Sequence, residues 1–200
     1  MKPLYLLIAF ASLFLATTSC KKKLPNVPVN AAMKEAYAMS AGTYWVFRDT
    51  VTGRYDSFAL REVTNTNYQV SDETYDQIAY HITQYNTTNL ADTVSWHWEM
   101  VDKFMKFYWI KSGIHYEYAP VPYPFTNGVF AATANVEKDT VRNFPTYATK
   151  NDTFYNVTKI NFLDYGVNDW IILNKEAGFI TLILSRINKV WVIDRWEIIR

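Results

Sequence analysis

The stretch Thr93-Val94-Ser95-Trp96-His97-Trp98-Glu99-Met100 decides how this chain folds. On an extended backbone Val94, Trp96, Trp98 and Met100 fall on one side, and Thr93, Ser95, His97 and Glu99 on the other, because successive side chains of a strand point to opposite faces. A helix, at 3.6 residues per turn, would scatter the same residues around its axis. Upstream, Ile78, Tyr80 and Ile82 alternate with Ala79, His81 and Thr83 in the same way. The alternation predicts antiparallel strands with one buried face and one wet face.

Moving outward, turn-forming residues punctuate similar runs. Gly53, Gly113, Gly178, Asn65-Thr66-Asn67, Asn86 to Asn89 and Asn188-Lys189 lie between apolar stretches. Strands are expected near residues 43–50, 54–63, 67–71, 76–85, 92–101, 104–111, 114–119, 129–134, 154–162, 168–174, 179–187 and 190–199. Short connections between them imply hairpins in series. From Ala119 to Gly128 the prolines at 120, 122 and 124 forbid a central strand, so this segment reads as a loop or rim. So many strands cannot stay flat without leaving edges and burying too little. The fold expected is therefore all-β: an antiparallel meander curled into a partly open barrel or strongly bent sheet. A short N-terminal helix precedes it, Ala31 to Met39, capped by Asn30 and ended near Gly42.

Composition supports a real core, since half of the 200 residues are hydrophobic. Formal charge is +1 and includes Lys2, so a chain cut downstream of Lys2 is neutral. That excludes the electrostatic footprint of a nucleic-acid binder. Cys20 is the one cysteine. No internal disulfide can form, and no thiolates remain for a zinc pattern. No cofactor is implied.

Met1-Lys2 starts the chain with a positive charge, and Leu4 to Leu15 is apolar apart from Ser12. A spanning helix needs about 20 apolar residues, so this run fits a secretory h-region instead. Thr17-Thr18-Ser19-Cys20 closes it. These small residues resemble the lipobox of bacterial lipoproteins, although Thr17 stands where that motif usually has an aliphatic residue. The resemblance implies cleavage before Cys20 and acyl chains on that cysteine, which hold a protein durably when there are two or three. Lys21, Lys22 and Lys23 would then lie at the headgroups. Pro25 and Pro28 make an extended tether. The organisation expected is a leader over 1–19, a lipidated cysteine and tether over 20–30, and one β-rich domain over 31–200. Lys21, in place of Asp, implies by resemblance to lipoprotein sorting signals an outer-membrane location facing the periplasm.

Several short motifs resemble those of small outer-membrane lipoproteins of Bacteroidetes-type bacteria. They are Ala41-Gly42-Thr43-Tyr44-Trp45-Val46-Phe47, Asp56-Ser57, Phe154 to Ile160, Glu176-Ala177-Gly178-Phe179-Ile180 and Arg195 to Arg200. Only Gly178 stands where such proteins often carry a Gly-Val-Gly turn. A curled sheet is also similar in architecture to the LolA/LolB-like lipoprotein carriers, whose half-barrel holds acyl chains. Architecture alone says little about function.

Three kinds of candidate chemistry remain. His81 and His97 become direct neighbours if their hairpin centres on Asn89, with Cβ atoms about 5 Å apart, and form a possible metal pair. His115 lies two strands away, too far for a tight triad, so a third ligand would have to come from Glu99 or Glu117. The aromatic stripe of Trp96, Trp98, Tyr116 and Tyr118, with Tyr80 and Phe107, reads either as packed core or as a groove for an acyl chain or sugar ring. Thr50, Thr93 and Thr140 each follow an Asp and precede a Val, and resemble the acceptor of Bacteroidetes-type O-glycosylation. No Gly-x-Ser-x-Gly elbow occurs, the glycines are scattered one per turn, and Asp72-Glu73 reads as a solvated turn. The functional expectation is non-catalytic binding of a lipid, glycan or envelope protein partner. A structural subunit of an envelope complex, a periplasmic hydrolase and a transmembrane barrel are the rivals.

Overall fold

The alternating pattern becomes one continuous antiparallel ladder in the computed structural model, which describes residues 24–85, 93–132, 138–164 and 167–200. Strands β2 (Tyr44–Asp49), β3 (Tyr55–Val70), β4 (Glu73–Tyr85), β5 (Val94–Val101), β6 (Phe104–Lys111) and β7 (Ile114–Glu117) pair in sequence order. So do β9 (Gly128–Ala132), β10 (Lys138–Ala148), β11 (Thr153–Asp164), β12 (Val167–Asn174), β13 (Gly178–Leu184) and β14 (Lys189–Glu197). The last strand, β14, pairs with β2 and joins the two meanders. Two short pieces lie off this path: β1 (Asn26–Val27) runs parallel to β4, and β8 (Val121–Pro122) pairs with β6. The sheet bends strongly but does not close. Its path ends at β7 and β9, leaving a seam there.

Bending brings the two meanders face to face over an aromatic core. Phe107 on β6 lies 6.1 Å from Phe162 on β11 and 6.4 Å from Phe179 on β13, ring centre to ring centre. Trp45, Trp98, Trp109 and Trp191 are all buried to within about 1%. Helix α1 (Ala31–Tyr37) covers one end of this core with Met33, Ala36 and Tyr37. The Asn30 side chain accepts from the Met33 N–H, the N-cap its sequence predicts. The helix stops at Tyr37, two residues before the expected end, and Gly42 instead serves the turn into β2 at φ +97°.

Two strand boundaries differ from expectation. Asn65-Thr66-Asn67 reads as a turn, yet it lies inside β3 and pairs with Ile78, Gln77 and Asp76 of β4. Those asparagines and the threonine are polar because the distal β3–β4 hairpin is exposed, and the true turn falls at Ser71-Asp72. The second difference is β10, absent from the expected strands. Its Pro145 is tolerated there because β9 pairs only with residues 138–141 and the register with β11 passes over Pro145, so no N–H is needed. The proline-rich segment is a rim as expected, with Val121–Pro122 paired to β6 and Gly128 already opening β9.

Buried polar side chains clamp the joints. The Asp49 carboxylate, fully buried, accepts from Lys189 Nζ (2.7 Å), Thr52 Oγ1 (2.7 Å) and the Val51 N–H, tying β2 to β14. Burial pushes its proton affinity up, but those donors outweigh it and the pKa falls below the ordinary value. Across the fold, Trp109 Nε1–H donates to the Tyr118 hydroxyl, which donates to buried Asp169. The Ser185 N–H donates to the other oxygen of Asp169.

Candidate functional site: an aromatic cleft at the open seam

The aromatic stripe is mainly core. Trp96 and Trp98 are 3% and 1% exposed, surrounded by Phe179, Tyr80, Phe107 and Tyr37. Their burial fits the packed-core reading of this pair rather than the groove. Tyr118 is also buried, stacked on Phe162 at 4.1 Å, and its hydroxyl is committed to Asp169. Tyr116 stacks on Trp109 at 4.0 Å and is half-buried.

His81 and His97 are cross-strand neighbours, as their spacing predicts, with ring centres 4.6 Å apart and edge to face. His97 also stacks on Tyr108 at 5.0 Å, and the Tyr108 hydroxyl donates to Glu99 at 2.5 Å. Glu99 therefore serves Tyr108. His115, paired with Ile110, is exposed on the edge strand. Among the described residues no group of three His, Cys, Asp or Glu side chains is arranged to hold a metal ion. Burial, then the nearby His81 and His115, lowers the His97 pKa to about 4.

Of the three threonines, Thr50 lies in an exposed turn and Thr93 is half-buried just before β5. Thr140 sits inside β10, between Val129 and Asn161. Asp49 and Asp139, which precede Thr50 and Thr140, are both buried; Asp139 accepts from the Leu163 N–H. Those two Asp-Thr-Val copies thus have a structural use for their aspartates. Cys20 lies outside the described residues.

What the sequence reading did not assemble is a cleft of about 410 Å³ at the seam. One wall is Tyr37 from α1 with Tyr123, Pro124 and Phe125 from the proline-rich rim; the other is Asn143, Phe144, Pro145, Asn156 and Thr158 from β10 and β11. Its rings are braced: Tyr123 meets Phe125 at 5.5 Å edge-on, and Tyr37 meets both. Phe144 remains 39% exposed. The amides are held too. Asn143 Nδ2 donates to the Phe125 carbonyl, Thr158 Oγ1 donates to Asn143 Oδ1, and Asn127 Oδ1 accepts from the Asn143 N–H. Asn156 adopts a left-handed φ of +53°, opposite Pro145 where the ladder is interrupted. A second basin of about 620 Å³, lined by α1, the β12–β13 turn and the C-terminal residues, shares Tyr123 and Lys175 with the first. Burial, and after it Tyr123, pushes the Tyr37 hydroxyl pKa well up, so it stays a neutral donor.

No sequence signal points to this cleft beyond the proline run, because its walls join the rim to β10 and β11 and to Tyr37, which α1 brings in from far upstream. No family model matches the chain, and no curated protein or solved structure matches it either. One exposed and two half-buried rings beside a pre-positioned amide, a hydroxyl and one ammonium suit a ligand with both apolar faces and many hydroxyls.

Proposed function

We propose that this chain is a lipid-anchored envelope protein whose β domain binds a glycan, without catalysis, in the seam cleft. The observation that carries the reading is the pairing of aromatic rings, Tyr123 braced against Phe125 and Phe144 left exposed, with a held amide and hydroxyl, Asn143 and Thr158. A sugar ring presents axial C–H groups to an aromatic face and hydroxyls to amides, so each feature has a use. Volume agrees, since both basins lie within the range of about 300–1,000 Å³ usual for small-ligand sites. An acyl chain fits less well, because the interior of the bent sheet is filled by Trp98, Trp109, Phe107 and Phe162. The anchor is part of the same proposal and rests on Cys20 following a short apolar run.

An array of bacterial envelope glycans probed with the full chain tests the binding. At least one glycan should be retained, and Phe144→Ala should abolish retention with melting unchanged, because Phe144 is substantially exposed. Retention by neither protein, or equal retention by both, defeats the reading. Cys20→Ala should remove acyl labelling, and labelling that persists refutes the anchor.

A further inference from the structure

Two β-bulges flank β2 on its solvent face. On β3 the register against β4 slips between Leu60 and Glu62, which leaves Arg61 as the extra residue. On β14 it slips between Ile193 and Arg195, so that Arg195 stands opposite Val46. A bulge re-aims the side chains beside it, and bulges of this kind gather at functional sites. Here both arginines line one basin of about 600 Å³, with Tyr44 as a further wall and Gly42, Val46, Ser57 and Ala59 among its small lining residues. Val46 and Ala59 are buried although they belong to the outer face. No aspartate or glutamate lines the basin. Arg195 is exposed and makes no hydrogen bond or ion pair with the described residues.

From this geometry we infer a second binding site, for an organic phosphate held between Arg61 and Arg195. A guanidinium presents two parallel N–H groups that match a phosphate edge, so two of them from opposite sides clamp one tetrahedral oxyanion. Inorganic phosphate alone would occupy only a small part of such a volume. The remainder, bounded by the Tyr44 ring, the Ser57 hydroxyl and apolar Val46 and Ala59, fits an organic substituent with both carbon and hydroxyl surface. A phosphorylated polyol has that chemistry, whether free or as a phospholipid headgroup.

Calorimetry of the full chain with glycerol 3-phosphate and with inorganic phosphate, and co-sedimentation with phosphatidylglycerol and phosphatidylcholine vesicles, tests the site and separates its sources. Saturable binding of glycerol 3-phosphate, tighter than inorganic phosphate, is expected, and Arg195→Ala should weaken it at least tenfold with melting unchanged. Arg195→Lys should recover only part of the loss, because it restores the charge and not the fork. If glycerol 3-phosphate fails but phosphatidylglycerol vesicles bind in an Arg195-dependent way, the site stands with the lipid as its source. Phe144→Ala should leave either kind of binding intact. Absence of binding to all four probes, or binding that Arg61→Ala and Arg195→Ala both leave unchanged, overturns the site.

Discussion

Trp45 and Trp98 are equally buried, at 1% exposure, yet their indole N–H groups differ. Trp45 Nε1–H donates to the Ala177 carbonyl at 2.7 Å, whereas the Nε1–H groups of Trp96 and Trp98 are buried with no partner among the described residues. Replacement by Phe removes similar apolar area at each site. At Trp45 it also strands a buried carbonyl, while at Trp98 it deletes an unpaired donor whose burial costs about 1–3 kcal/mol. Trp45→Phe is therefore expected to lose about 1–2 kcal/mol more stability than Trp98→Phe, read from urea midpoints at equal slope. Equal losses would show that the Trp98 N–H finds an acceptor in the folded protein. Full truncation, Trp98→Ala, should cost about 3–5 kcal/mol and leave little of a typical domain's stability. Gly178 offers a parallel comparison. Its φ is +68°, and a Cβ there would lie 2.7 Å from Met39 Cε, whereas Gly53, at φ +73°, has nothing within 4 Å. Gly178→Ala should thus lower the melting temperature further than Gly53→Ala, because only the first adds a collision to the backbone strain. Identical shifts would mean that Met39 moves aside freely.

At the scale of strands, the row across β3, β4, β5, β6 and β7 places Glu62, His81, His97, Tyr108 and Glu117 side by side on the outer face. His97 is half-buried there, between His81 and Tyr108. Its folded pKa of about 4 lies below the ordinary 6.5. As pH falls below 6.5 the unfolded chain takes up a proton that the folded chain still refuses, so stability should drop between about pH 6.5 and 4. His97→Gln should flatten that slope, measured as urea midpoints from pH 7 to 4.5; an unchanged slope assigns the acid sensitivity elsewhere. This pair shows what a sequence makes legible. Period two and the hairpin centre at Asn89 place His81 against His97 because pairing register is arithmetic once the turn is known. Polar exposed strands were not legible, since Asn65-Thr66-Asn67 in β3 has the composition of a turn and lacks a buried face. Nor was β10, whose Pro145 is tolerated because β9 is short and the register with β11 passes over it. The seam cleft and the twin-arginine basin lay further out of reach. Each depends on where the sheet bends or slips, which is decided by contacts between distant strands.

For the whole molecule, the decisive joint is the one between β2 and β14, the strands nearest the two ends of the domain. Trp191 on β14 is fully buried, meets Phe58 at 5.2 Å and donates its N–H to Asp56 at 2.6 Å. Lys189, two residues before it, makes the part-buried ion pair with Asp49. Neither meander covers the core alone, because Phe107 and Trp98 of the first pack on Phe162 and Phe179 of the second. The two halves should consequently unfold together, with far-ultraviolet circular dichroism and tryptophan emission tracing one transition. Pairing ends separated by some 140 residues is also entropically expensive, so folding should be slow for the chain's size and should finish with β14. Deleting residues 189–200 tests the joint directly. The deletion unpairs β2 and β13 at once, opens the core beside Trp45 and Phe58, and leaves Asp49 buried without its cation. Such a chain is expected to lose the cooperative transition altogether. A truncated chain that still melts cooperatively within a few degrees of the full one would mean that each meander holds its own core, and that the β2–β14 joint merely closes a structure already formed.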